Sequence, residues 1–247
     1  PRIGHTGTLD PAADGVLVLV LGRATRLVRF LTDDKEYMAT VHLGQRTDSY
    51  DATGVPIGPD YEGPIPSDDA IESALAAFRG PSMQRPPLFS AKHVDGQRGH
   101  ALGRRGRRLG GSAPGPVELP PVPVVVHQLD LVAISWPLVI VNLVVSPGFY
   151  VRSLAHDLGE RLGTGGHLSA LTRMRVGPHV LDHAISLDAL EGAEAPQAAA
   201  RTALVTMADA LPHLPQVTVT SEGASRVARG QDLAQGHVGH SEPARRP

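Results

Sequence analysis

Val122-Pro-Val-Val-Val-His-Gln-Leu-Asp-Leu-Val-Ala-Ile134, then Ser135-Trp136-Pro137, then Leu138-Val-Ile-Val-Asn-Leu-Val-Val145, is the stretch that decides the fold. Both flanks are dense in β-branched residues, which fit a pleated surface, and the three residues between them leave room only for a tight turn. The spacing predicts a hairpin. Hairpin strands pair antiparallel, and the elements on either side do not alternate strictly between strand and helix, so a doubly wound parallel sheet is disfavoured. The class expected is α+β, a mixed and largely antiparallel sheet core with flanking helices.

On the carboxyl side of the hairpin, Ser153 to Leu162 reads as a helix, with Leu154, Leu158 and Leu162 every fourth residue and Gly163 as its stop. Alanine-rich residues 189 to 210 read as helix and linker, and Gln216 to Thr220 as one strand of a small module. Residues 235 to 247 have no apolar period and read as a disordered tail. On the amino side, residues 80 to 123 are so rich in proline, glycine and arginine that they are expected to leave the core and stay out of the sheet. Arg98, Arg104, Arg105, Arg107 and Arg108 make this the densest basic segment. Asp68 to Phe78 is a predicted helix with Ser67 as N-cap, Tyr37 to Leu43 a strand, and Gly44 to Gly54 a polar loop. Ala24 to Leu31 reads as a helix that turns Arg23, Arg26 and Arg29 away from Leu27, Phe30 and Leu31. The glycine-bounded run Gly15 to Gly22 reads as a buried strand.

The 247 residues, 41% of them hydrophobic, suit one large domain plus an appendage. No uncharged apolar run of about 18 residues occurs and no leader-like segment opens the sequence, so a cytoplasmic protein is expected. The absence of cysteine excludes disulfides, thiolate catalysis and sulfur-ligated zinc. With 23 Lys+Arg against 25 Asp+Glu, any surface for a polyanion must be local. The start at Pro1, directly before a glycine-rich loop, suggests a preceding segment.

Two segments carry chemistry. In Gly4-His-Thr-Gly-Thr-Leu-Asp-Pro11 the glycines let backbone approach a ligand and Asp10 sits at the edge of the following strand; the plain alternative is a turn capped by its own aspartate. It is no phosphate-binding loop, because Gly-Lys-Ser/Thr is missing. In Gly148-Phe-Tyr-Val-Arg-Ser153, Arg152 stands at a strand-helix junction, where it can pair with a buried carboxylate or simply form a surface contact.

These two segments, with Lys35-Glu-Tyr37, Leu43-Gly-Gln-Arg-Thr-Asp-Ser-Tyr-Asp51, Gln84-Arg-Pro-Pro-Leu-Phe-Ser-Ala91, His156-Asp-Leu-Gly159 and Gly166-His-Leu-Ser-Ala-Leu-Thr-Arg173, resemble in order and rough spacing the bacterial tRNA pseudouridine synthase TruB family, over about residues 1 to 178. The resemblance implies the pseudouridine synthase fold and an isomerase that turns the T-arm uridine of tRNA, position 55, into pseudouridine without metal or organic cofactor. Asp10 matches the catalytic aspartate. Tyr37 is implied to stack on the target uracil, Arg152 to pair with Asp10, Tyr150 and Leu171 to line the pocket, and His5 to lie against the RNA. Arg46 and Asp51 fall in a loop expected near the site. The implied organisation is a catalytic domain over 1–188, a helical linker over 189–210 and a partial C-terminal module related to the PUA domain over 211–247. The expected partner is the tRNA T-arm stem-loop, with no membrane, no metal and a monomeric chain. Asp14 and Phe149 depart from the family pattern, and Asp14 is expected to raise the pKa of Asp10 or to compete for Arg152. The competing readings are a catalytically impaired RNA-binding fragment of the same fold and, more distantly, a hydrolase using Asp10 with His5.

Overall fold

The computed structural model of the chain describes residues 2–31, 34–89, 93–94, 97–98 and 119–242. His5–Leu19 with Thr32–Ala184 form one compact unit, and Pro1–Gly4, Val20–Leu31 and Ile185–Pro247 a second.

The first unit is built from Ala13–Gly15 (β1), Lys35–Leu43 (β2), Asp68–Ala76 (α1), Gly80–Gln84 (β3), Val122–Ser135 (β4), Leu138–Val145 (β5), Val151–Leu162 (α2), Gly166–Val176 (β6) and His179–Val180 (β7). All seven strands share one sheet in the order β7-β6-β2-β5-β4-β3, with β1 beside β6. Every pairing is antiparallel except β1 with β6, so the fold is α+β. The predicted hairpin is formed by β4 and β5, with Ser135 opposite Leu138. At its turn Trp136 meets Tyr61 edge-on, ring centroids 6.3 Å apart. Alternate residues of β2 and β5, Tyr37, Ala39, Val41 and Leu43 with Val139, Val141, Leu143 and Val145, face the core. Onto that face pack Ile71 and Leu75 of α1 and Leu154, Ala155 and Leu158 of α2. Ser67 caps α1 through its hydroxyl, and Gly163 ends α2 in the left-handed region at φ 72°.

Four expectations change. Residues 80–84 do not leave the sheet. They form its edge strand, β3, in register with Val122–Val126 of β4. Proline is tolerated there because, among the described residues, β3 pairs with no strand but β4, and Pro123 precedes the reach of β5, which starts at Val126. Arg104, Arg105, Arg107 and Arg108 lie outside the described residues. Second, Gly15 to Gly22 is not one buried strand: β1 stops at Gly15, whose φ of 101° only glycine adopts freely. Beyond it Val16 and Val20 are buried while Leu17, Leu19 and Leu21 are 44%, 54% and 47% exposed. Third, the segment after it winds as a 3₁₀ helix over Gly22–Phe30 and buries none of its residues. Its three-residue turn stacks Arg23, Arg26 and Arg29 in one exposed row.

Fourth, the tail is ordered as far as Glu242. In the second unit Leu187–Glu191 (α3), Pro196–Thr202 (α4), Gln216–Val219 (β8), Ser221–Ala228 (α5) and Val238–Glu242 (β9) follow one another, and β9 pairs antiparallel with β8. Val238 is the one apolar residue of β9, so the strand is held by main-chain pairing, which leaves no hydrophobic period to read.

Candidate active site

The site lies along the outer edge of β6. One edge of this strand pairs with β2, and onto the rest fold, in order, the Asp51 backbone at Leu168, β1 at Leu171–Arg173 and β7 at Arg175–Val176. The β6–β2 register slips twice, between Leu168 and Ala170 and between Arg173 and Arg175. The intervening residues are thereby aimed separately from the ladder on either side.

Asp10 stands just before β1, its carbonyl accepting from Ala13 N–H at 2.9 Å. Arg152, the second residue of α2, grips its carboxylate with two parallel bonds, Nε to Oδ2 at 2.8 Å and Nη2 to Oδ1 at 2.9 Å. The remaining Nη1 donates to Phe89 O at 3.0 Å and Ser49 O at 3.3 Å and lies 3.5 Å from Asp51 Oδ2. The guanidinium is thus held on all three nitrogens and buried, 4% exposed, while the Asp10 side chain keeps 34% of its surface open. Bidentate charge-assisted pairing of this kind fixes orientation as well as charge. A carboxylate backed by an immobile cation, with one open face, is suited to attack a bound electrophile. Asp14, by contrast, is exposed. The carboxylate that shares Arg152 is Asp51, not Asp14. Asp51 is itself fastened by Ser49 Oγ at 2.7 Å and by Thr53 N–H and Oγ1 at 2.9 and 2.6 Å.

The loop that carries Asp51 is clamped to α2 at one-turn intervals. Arg152 meets Asp51, the His156 ring stacks on Tyr50 with centroids 3.9 Å apart, and Glu160 pairs with Arg46. Positions i, i+4 and i+8 share one helix face, so a single stripe of α2 holds the whole loop. Burial pushes His156 below the ordinary histidine range, the charge of Arg46 pushing the same way and that of Glu160 opposing, so the stacked ring is neutral at pH 7.

Arg173, two residues beyond Leu171 on β6, is among the most buried side chains of the molecule. Its guanidinium donates to Val16 O at 2.7 Å, Gly7 O at 3.1 Å and Thr8 O at 3.4 Å, binding the Asp10 loop to the central sheet. Arg173 also stands opposite Tyr37 in the β6–β2 ladder. Burial pushes the Tyr37 phenol above the usual tyrosine range; the charge of Arg173 opposes the rise, and the charge of Asp10 adds to it. Neither Arg173 nor Gln84, whose amide binds the Tyr150 backbone, stands out in the sequence, because a buried polar residue leaves no mark until its partners are known.

Asp10, Asp51, Arg152, Ala13, Leu168 and Leu171 line a common pocket. Of the residues singled out in the sequence, Asp10, Asp51, Arg152 and Leu171 therefore come together. Tyr37 is buried behind them on β2, opposite Arg173 in the ladder. Tyr150 is half-buried at the start of α2, and His5 is exposed; among the described residues these three are not part of the pocket wall. Among the described residues, too, no group of three or more histidine and acidic side chains is placed to hold a metal, and no helix is long and apolar enough to cross a membrane.

The family model for the TruB family pseudouridylate synthase N-terminal domain matches residues 1–151. This chain belongs to the TruB family. The model for the tRNA pseudouridylate synthase B C-terminal domain matches residues 152–211, so in this TruB chain the Asp10–Arg152 pair joins the two matched regions. A tRNA pseudouridine synthase B of Solibacter usitatus is 41% identical over 233 residues, covering 94% of this chain and 76% of the relative. That of Aromatoleum aromaticum is 42% identical over 236 residues, 94% of this chain and 72% of the relative. Among solved structures, a chain of a Cbf5-Nop10-Gar1 complex superposes with a TM-score of 0.67 at 30% identity, covering 96% of this chain and 61% of that one. A chain of an H/ACA RNP bound to a substrate RNA containing 2′-deoxyuridine superposes with a TM-score of 0.66 at 28% identity over the same shares. The TruB chain thus shares the pseudouridine synthase architecture through nearly its whole length.

Proposed function

We propose that this chain isomerises uridine to pseudouridine in tRNA, at position 55 of the T arm, with Asp10 as the nucleophile. The observation that carries the reading is the bidentate Arg152–Asp10 pair at the wall of a pocket, open only on the carboxylate side, in a chain of the TruB family. A uridine inside a folded loop must be unstacked and turned out before its C1′ or C5 can be reached, which costs a few kcal/mol. The apolar wall of Leu168, Ala13 and Leu171 offsets part of that cost by covering the base. Asp10 then attacks the nucleoside as the N-glycosidic bond breaks, the freed uracil turns, its C5 bonds to C1′ of the ribose, the bond to Asp10 is broken, and the C5 proton leaves to solvent. By the family resemblance Tyr37 is assigned to the uracil and His5 to the RNA. The Arg23, Arg26 and Arg29 row, spaced by about 6 Å from the 3₁₀ rise, suits consecutive phosphates of one RNA strand.

The test is tritium release from C5-labelled uridine in a T-arm hairpin. Release by the chain, lost in Asp10→Asn and absent when the target is cytidine, is the expected result. Hairpin binding with no release from the unsubstituted chain would refute catalysis and leave an RNA-binding protein of the same fold.

A further inference from the structure

Gln84 ends the edge strand β3, yet it is only 6% exposed. Both halves of its amide are engaged by one residue. Nε2 donates to Tyr150 O at 2.9 Å, and Oε1 accepts from Tyr150 N–H at 2.8 Å. This is the exchange that two strand residues make with each other, performed here by a side chain. Its recipient is the N-cap of α2, whose own side chain makes no capping bond. Next along the chain, Arg85 O accepts from Ser153 Oγ at 2.8 Å and Phe89 O accepts from Arg152 Nη1 at 3.0 Å. Residues 84, 85 and 89 therefore all bond the first turn of α2, and the Gln84 side chain bonds the residue at its start.

We propose that Gln84 is a positioning residue for catalysis: its amide sets where α2 begins, and with it the attitude in which Arg152 presents Asp10 to the substrate. The proposal rests on the reading of the site as a pseudouridine synthase. The geometry asks for a donor and an acceptor side by side, which an amide supplies and neither an apolar side chain nor a carboxylate does. An apolar replacement leaves the Tyr150 N–H without its partner. A carboxylate accepts from that N–H but sets a second acceptor against the Tyr150 carbonyl. A protonated carboxyl restores both bonds.

That last property makes the role measurable. Steady-state pseudouridine formation on a T-arm hairpin is followed for the unsubstituted chain, Gln84→Met and Gln84→Glu from about pH 5 to about pH 8.5, bracketing the range over which a buried carboxyl titrates. Gln84→Met is expected to lose about tenfold in kcat with KM held within about twofold. Gln84→Glu is expected to show the same loss at the alkaline end and to regain activity, relative to the unsubstituted chain at each pH, as the introduced carboxyl is protonated. Should Gln84→Met fail to fold, the pH dependence of Gln84→Glu decides alone. A Gln84→Glu ratio that stays flat across the range, or Gln84→Met kcat within about twofold of the unsubstituted chain, overturns the proposal. An unsubstituted chain that forms no pseudouridine sinks the reading of the site itself, and the proposal with it.

Discussion

Arg173 and Arg152 are both buried cations, but they are neutralised differently, and substitution separates them. Arg152 has two carboxylates near it, whereas Arg173 is held by three backbone carbonyls. Removing Arg173 strands those carbonyls and releases the Asp10 loop from β6. Arg173→Met is expected to lower stability by about 3 kcal/mol and kcat by about 100-fold, measured by urea unfolding and single-turnover assay. Asp157, on α2, acts in the opposite sense. Its carboxyl is pushed up to about 6, chiefly by burial, with the charge of Glu160 adding and that of Arg85 opposing. A folded-state value above the unfolded one means that the folded chain holds the proton more tightly, so stability present below about pH 4 is lost as pH rises through about 6. Asp157→Asn is therefore expected to raise Tm at pH 8 by about 2–4 °C, allowing for partial exposure, and to change it little at about pH 4. An equal shift at both pH values would contradict this.

Among the elements, α2 is the one on which the site depends most, since its stripe at 152, 156 and 160 holds both Asp10 and the Asp51 loop. Its close seating on β6 requires a glycine: a Cβ on Gly159 would lie 2.2 Å from Gly165 C and Gly166 N, which are backbone atoms that cannot swing aside. Gly159→Ala is expected to cost about 2–4 kcal/mol of stability by urea unfolding, with activity falling in step. Which elements the sequence betrays follows from their chemistry. The β4–β5 hairpin and α2 are plain to read because their apolar residues repeat at the period of the structure they form. β6 is not, although it is central, because Ser169, Thr172, Arg173 and Arg175 interrupt its alternation for the sake of the site. β3 is hidden by Pro81 and by the proline-rich residues that follow it. The same holds for the site itself: Asp10, Arg152 and the Asp51 loop are legible through the TruB-like motifs around them, while the parts played by Arg173 and Gln84 rest on hydrogen bonds to residues far away in the chain. The arginine row of the 3₁₀ helix gives an element-level prediction: charge reversal at Arg26 should weaken tRNA binding and reduce the slope of log affinity against log salt by about one.

At the scale of the whole molecule, neither region matched by the family models contains a complete site, because Asp10 and Arg152 fall on opposite sides of the boundary between Val151 and Arg152. The β8–β9 pair likewise changes what trimming the tail does. Removing residues 243–247 should leave tRNA affinity unaltered, whereas removing residues 232–247 takes away β9 and should unfold the C-terminal module, as a loss of protected amides in β8 would report. The distribution of aromatic residues makes such partial unfolding easy to follow. Trp136, which meets Tyr61 at the hairpin turn, is the chain's one tryptophan, and the tyrosines stand at 37, 50, 61 and 150, all in the unit that holds the sheet. Near-ultraviolet absorbance and intrinsic fluorescence therefore report on the catalytic unit, while far-ultraviolet dichroism sums both units, so a gap between the two melting curves would measure the stability of the second unit in a chain carrying no label.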